Sequence, residues 1–235
     1  MKRFTYQDIQ IVHEDNHIIV AYKPAGVLSQ ADGSDAQDML TLLKEYIKIK
    51  YNKPGNVYLG LLHRLDRPVE GLMIFAKTSK AASRLSDQIR QGKMDKLYYA
   101  VVQGAVNPSE GRLVHELVKD KKTNITKAFL PNKVPSNLKS MAKNASLKYK
   151  VIKTNATNTI SLIEVELETG RSHQIRTQFA AIGHPLLGDA KYGNPNSGYR
   201  GDICLESHKI GIIHPVSGER MLFEVGVAPR FEKLF

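Results

Sequence analysis

The chain has 235 residues, 42% hydrophobic and 24% charged, which is enough apolar content for a buried core and too much for a disordered or fibrous chain. Thirty-four Lys and Arg against 23 Asp and Glu leave +11, a surplus of the sign that attracts phosphate and so points to RNA or DNA. One cysteine, Cys204, excludes an internal disulfide and the multi-thiol zinc patterns. No apolar stretch follows the charged start Met1–Asp8 or approaches membrane-spanning length elsewhere, which predicts a soluble, unprocessed cytoplasmic protein without a membrane partner.

In chain order, Gln10 to Val12 and His17 to Tyr22 are β-branched and apolar around Glu14-Asp15-Asn16, the pattern of two strands and a turn. Ser34 with Gln37 three residues on reads as a capping box. Behind it Met39, Leu42, Leu43, Tyr46 and Ile47 share one face of a helix reaching about Lys50. Tyr58 to Leu62 and Leu72 to Ala76 are predicted strands around the loop His63 to Gly71. A helix follows, with Ser79 as cap, Ala82, Leu85 and Ile89 as its apolar stripe and Gly92 as its stop.

Leu97 to Gln103 and Ser146 to Lys153 are further predicted strands. The segment Lys119 to Lys153 lacks helical periodicity and is expected to form one or two long basic loops or a hairpin. Ile163, Val165 and Leu167 alternate with Glu164, Glu166 and Glu168, a half-buried strand that ends at Thr169-Gly170. From Ser172 the period turns helical through Ile175, Phe179 and Ile182 to Gly183, and short strands near Lys209 to Ile213 and Met221 to Val225 finish the chain. The expected fold class is α+β with a mostly antiparallel sheet flanked by helices and long loops, and residues 1–235 are expected to form one catalytic domain. The charge is uneven: residues 61–153 hold 19 basic and 7 acidic side chains, the remainder 15 and 16.

Two familiar patterns carry little. His13-Glu14-Asp15-Asn16-His17 matches the zinc-protease pattern H-E-x-x-H, but that pattern needs both histidines on one helical face and here it straddles a turn, so no metal is expected and a metalloprotease is the weakest reading. Ser140-Met141-Ala142-Lys143 matches S-x-x-K without its companion motifs. There is no Walker loop or G-x-G-x-x-G, so no nucleotide cofactor is implied.

Two segments hold chemistry. His63-Arg64-Leu65-Asp66-Arg67 sets one carboxylate between two guanidiniums, and Thr169-Gly170-Arg171-Ser172-His173-Gln174-Ile175-Arg176 sets two more at the start of a helix. Asp66 is open to two readings by spacing alone: a loop salt bridge, or a nucleophilic or acid-base carboxylate that a nearby Arg keeps ionised.

Together with Lys23-Pro24-Ala25-Gly26 and His184-Pro185-Leu186-Leu187-Gly188-Asp189, these segments closely resemble the RluA-type RNA pseudouridine synthases, in order from about Ile9 to Val225. The resemblance implies the pseudouridine synthase fold and isomerisation of uridine within structured ribosomal or transfer RNA, without cofactor or metal. It places the family's essential aspartate on Asp66, its active-site tyrosine on Tyr98 within Lys96-Leu97-Tyr98-Tyr99-Ala100, and the arginine paired with the aspartate on Arg176. Arg64 corresponds to the arginine that takes the flipped nucleotide's place in the RNA stack, Arg67 joins it at the RNA surface, and Leu205 packs beneath the base.

The chain departs from the family pattern at Pro68-Val69-Glu70, where Asp-Thr-Ser is common, and at Glu206, where histidine is usual. With the first strand expected near Ile9, no N-terminal S4 RNA-binding domain is expected. RNA contact then falls to the catalytic domain, with Lys119, Lys121 and Lys122 of the basic segment as a clamp, the protein acting as a monomer. A non-catalytic RNA-binding or assembly protein on the same scaffold is the alternative.

Overall fold

The computed structural model describes residues 3–235, so Met1 and Lys2 of the charged start lie outside the described residues. Its strands are β1 (Ile11–Glu14), β2 (Ile18–Lys23), β3 (Gly60–Leu61), β4 (Glu70–Ala76), β5 (Asp95–Gln103), β6 (Glu110–Asp120), β7 (Ile125–Phe129), β8 (Lys143–Thr154), β9 (Ile160–Leu167), β10 (Leu205–Ile213) and β11 (Arg220–Glu224). The helices are α1 (Met39–Lys50), α2 (Ser79–Arg90), α3 (Gln174–Ala181) and the short α4 (Pro229–Glu232). No helix among the described residues is long and apolar enough to cross a membrane. The chain resolves into two compact units, Met1–Lys96 with Ser207–Gly226, and Leu97–Glu206 with Val227–Phe235.

In the first unit the strand order is β1-β2-β4-β10, with β3 on β4 and β11 on β10. Pairings β1–β2, β2–β4, β3–β4 and β10–β11 are all antiparallel. Ile18, Val20, Leu72, Ile74, Ile210 and Ile212 pack with Ala81 and Leu85 of α2 and are sealed from water. The alternate residues Ile19, Ala21, Met73 and Phe75 are equally buried, so this sheet is covered on both faces, which explains why β4 reads as a continuous apolar run. Each buried Val, Leu, Ile, Met or Phe among them contributes roughly 1.5–3 kcal/mol.

In the second unit the order is β5-β9-β8-β6-β7 with antiparallel pairing throughout. The core of Val101, Leu162, Leu187, Cys204, Ala228 and Phe231 closes beneath α4, with the partly buried Tyr99 packed against it.

Two sequence expectations, both helix caps, are corrected. The cap of α1 is Asp38, whose carboxylate accepts from Thr41 N at 3.1 Å. Ser34 bonds Asp32 instead, and Gln37 accepts from Phe4 N at 2.6 Å. Helix α2 is capped by Thr78, which accepts from Ala81 N at 3.1 Å and leaves Ser79 as the first helical residue. Of the forms open to the basic segment, the structure has the hairpin: β6 and β7 turn at Lys121 to Asn124, and a 3-10 turn, Ser136–Met141, leads into β8, the expected strand.

The first unit is also tied by one carboxylate. Glu14 at the end of β1 accepts from Lys50 and Lys77, each at 2.7 Å, and from the hydroxyls of Tyr46 and Tyr51 at 3.0 and 2.9 Å. Burial pushes its carboxyl up, but these four donors prevail and hold it down at about 2. A carboxylate depressed in the folded state stabilises above its ordinary range near 4.5 and loses that contribution as pH falls toward 2. Acid titration of unfolding is expected to show this loss between those values in the wild type and a flatter curve in Glu14→Gln.

Candidate active site

The Asp66 segment leaves β3 and returns through β4, and three clamps fix its path. First, β3 covers only Ala76 and Phe75 of β4. Further along, the side chain of His63 takes over as acceptor, with Nε2 receiving the Ile74 N–H at 3.1 Å. Desolvation, with Lys96 nearby, pushes His63 down to about 4, consistent with a neutral ring whose Nε2 lone pair is in use. Second, Ser29 Oγ accepts from Leu65 N at 3.0 Å and donates to Leu65 O at 2.8 Å, so one hydroxyl satisfies both backbone groups beside Asp66.

The third clamp is Lys23, fully buried at the end of β2. Its Nζ donates to the carbonyls of Pro24 and Arg67 at 3.0 Å and of Val69 at 2.7 Å. Burial pushes this ammonium down to about 7, with Asp66 and Glu70 pulling it up and Arg67 pushing it further down. Gly26 N donates to the same Arg67 carbonyl at 2.9 Å, and Arg67 Nε returns to Gly26 O at 3.1 Å. A turn closed by Val69 N to Asp66 O at 3.0 Å completes the loop. It rejoins β4 through Gly71 at φ 120°, where a Cβ would lie 2.4 Å from the Ser207 carbonyl oxygen, so only glycine fits. Asp66 is half-buried on this frame, with Arg64 and Arg67 exposed on either side.

In the second unit, the string from Thr169 to Arg176 is a set of fastenings around the start of α3. Gln174 Oε1 accepts from Thr169 Oγ1 at 2.8 Å and Arg171 N at 2.9 Å, while its Nε2 donates to Ser146 O at 3.0 Å. His173 enters the helix in the left-handed region at φ 55°. Its Nδ1 lies 2.7 Å from the Tyr192 hydroxyl, which accepts from Thr126 N at 2.8 Å. The Tyr192 hydroxyl thus joins the His173 ring to the backbone of β7.

Arg176 is 5% exposed and donates from Nε and one Nη to Asp189, 2.7 Å on each branch. Its guanidinium also lies over the Tyr192 ring at 5.2 Å. Burial pushes Asp189 up, but Arg176 and the amides of Lys191 and Tyr192 outweigh it and hold the carboxyl low. Asp189 reaches this position because the preceding residues run along β5: Gln103 N donates to Pro185 O at 3.0 Å and Leu187 N to Val101 O at 2.8 Å.

The sequence thus placed Arg64, Asp66 and Arg67 on one loop, as found. It flagged the segments containing Lys23, His63, His173 and Asp189 without assigning these residues their tasks, and it missed Ser29 and Tyr192. Tyr98 lies in β5, buried and paired in register with Val165. Leu205 is buried at the start of β10. Glu206 is buried too, and its carboxylate accepts from Ala228 N at 2.9 Å. Lys119 Nζ donates to Ser172 Oγ at 3.0 Å, and Lys121 and Lys122 sit exposed at the hairpin turn. His13 lies in β1 and His17 beyond a turn, with His13 Nε2 and His214 Nε2 3.1 and 3.2 Å from Asp15 Oδ2. Among the described residues no group of three or more His, Cys, Asp or Glu is arranged to hold a metal ion.

One unit thus carries a loop fastened around Asp66, and the other a helix start that holds Arg176. The sequence model of the RNA pseudouridylate synthase family matches residues 17–181, and the chain belongs to that family, in its RluA-type branch. It is 31% identical over 242 residues to ribosomal large subunit pseudouridine synthase D of Zymomonas mobilis, covering 97% of this chain and 73% of that one. With tRNA pseudouridine synthase C of Vibrio parahaemolyticus it shares 27% identity over 241 residues, 97% and 94% covered. The solved structure of human RNA pseudouridylate synthase domain containing 4 has the same fold, with a TM-score of 0.78 at 20% identity over 95% of this chain and 90% of that one. The chain is an isomerase acting on RNA.

Removing one partner of a buried ion pair strands the other. Asp189→Ala is expected to destabilise the protein by about 3–5 kcal/mol, read as a lower urea midpoint, with Asp189→Asn intermediate because it keeps an acceptor.

Proposed function

We propose that this chain converts specific uridines to pseudouridine in structured ribosomal or transfer RNA, with Asp66 as the carboxylate acting at the ribose. Carrying this reading is the position of Asp66: the only carboxylate of the H-R-L-D segment stands on a loop whose backbone is fastened by Lys23, Ser29 and His63. The relatives named above are named for ribosomal RNA and for tRNA respectively, which supports both substrate classes.

In the reaction the N1–C1′ bond breaks, the uracil turns, and a C1′–C5 bond forms. The proton on C5 leaves and N1 gains one, so atoms balance with no co-reactant. Asp66 serves either by attacking C1′, to be displaced when C5 returns, or by removing a ribose proton to give a glycal. One carboxylate suffices because the leaving group is also the returning nucleophile. Tyr98 packs its ring on the uracil and its hydroxyl passes a proton during rearomatisation. Arg176, immobilised by Asp189, is the fixed positive charge of the reaction, and Leu205 lies beneath the base. Arg64 fills the stack that the flipped nucleotide vacates, offsetting part of an unstacking cost of roughly a few kcal/mol, and Arg67 takes phosphate. The protein works as a monomer.

Wild-type protein is expected to release tritium from RNA labelled at uracil C5, while Asp66→Asn and Asp66→Ala lose several powers of ten in rate and keep RNA affinity. Tight binding without release from any cellular RNA pool would refute catalysis.

The hairpin of β6 and β7 is the proposed clamp. Replacing Lys119, Lys121 and Lys122 together is expected to weaken RNA binding and flatten its logarithmic salt dependence by roughly 0.7–0.9 per lost phosphate contact, with turnover of bound substrate unchanged. An unaltered slope identifies a merely solvated turn.

A further inference from the structure

The face of β6 and β8 carries a recess of about 520 Å³ that none of the proposed catalytic residues line. It follows from strand length. β7 pairs with β6 only from Glu116 to Asp120, whereas β6 runs back to Glu110 on β8. Beyond Phe129 the chain lifts away through Leu130 and Pro131, and Asn132, at φ 62°, is caught by its N–H on Glu116 Oε2 at 2.8 Å. Alternation along the strands puts Arg112, Val114 and Glu116 on one face beside their cross-strand neighbours Lys148, Ser146 and Asn144. Pro131 and Asn132 form the wall.

Shape and chemistry select the occupant. The volume falls in the range of roughly 300–1,000 Å³ typical of small-ligand clefts. Val114, 42% exposed, is an apolar floor ringed by polar groups, as a base ring requires on its face and its edge. Arg112 lines the recess, and two more cations stand beside its lining residues: Lys148, opposite Arg112 on β8, and Arg171, whose Nε donates to Asn144 O at 3.0 Å. Arg112 and Lys148 pair with Glu168 and Glu166, but these exposed bridges are worth little and yield readily to phosphate. Inside, Glu116 can only accept hydrogen bonds, which suits an exocyclic amino group and repels the carbonyl oxygens of uracil.

We propose that this recess is a subsite for one unpaired, amino-bearing nucleotide of the RNA substrate, with Glu116 setting the preference against uridine there. The proposal rests on the RNA pseudouridine synthase reading and adds a point of sequence recognition away from Asp66.

The test measures fluorescence anisotropy of short labelled oligoadenylate and oligouridylate on the intact protein, beside tritium release from cellular RNA. Oligoadenylate is expected to bind about tenfold more tightly. Glu116→Gln keeps an acceptor for Asn132 N–H but adds an amide donor, and is expected to shift the preference toward oligouridylate. Val114→Glu, at an exposed position, is expected to weaken oligoadenylate binding and raise KM for tritium release with kcat unchanged; thermal melting verifies that both variants fold. Equal binding of the two oligonucleotides, or a preference that neither variant moves, overturns the subsite even where tritium release is normal. A preference that responds to Glu116→Gln in a protein releasing no tritium supports the subsite and refutes the catalytic reading instead.

Discussion

An ammonium group shut away from water has three protons to place, and Lys23 places all of them on carbonyl oxygens, two of which belong to the segment carrying Asp66. The path of that loop follows from this requirement. Arg67 and Val69 turn their carbonyls inward, and Asp66, directly before them in the chain, stands on backbone that this fastening fixes. Ser29 and His63 extend the same principle with neutral groups, satisfying buried backbone atoms that the strands cannot reach. A site fastened in this way loses little free energy to reorganisation when charge develops in it.

The second unit meets the same demand with the opposite partner. There the buried cation is a planar guanidinium, and the bidentate carboxylate of Asp189 gives it direction as well as charge balance. His173 and Gln174 hold the helix start that presents Arg176, each through bonds to backbone or to a neighbouring hydroxyl. The conspicuous residues of this motif are thus mostly carpentry, and only some of them are candidates for touching substrate.

What was legible in the sequence follows from the range of each interaction. Local periodicity was enough for α1, α2, α3 and β9, whose core faces are written in consecutive turns or alternations. The caps slipped because Ser34 and Ser79 each have an equally suitable neighbour, Asp38 and Thr78, and only the backbone path decides which oxygen meets the free amides. For β6 and β7 the sequence left loops and a hairpin both open, because the hairpin buries few residues and its charged positions break the alternation. The loop of Asp66 was identifiable as a string, but Ser29 lies 36 residues from Leu65, and Lys23 lies 44 and 46 from the carbonyls it holds. No local pattern encodes contacts of that span. The roles of Asp66 and Arg176 are what family resemblance implies, whereas the fastenings around them, from Lys23, Ser29 and Asp189, are visible only in the folded chain.

The lone thiol of Cys204 sits in the core of the second unit with no exposed surface. A thiol so enclosed is closed to reagents. The native chain therefore comes silent toward maleimides and spin labels, and a single cysteine introduced at the hairpin turn or on the rim of the β6–β8 recess would carry a probe alone, making motions of either surface on RNA visible without first removing a native residue.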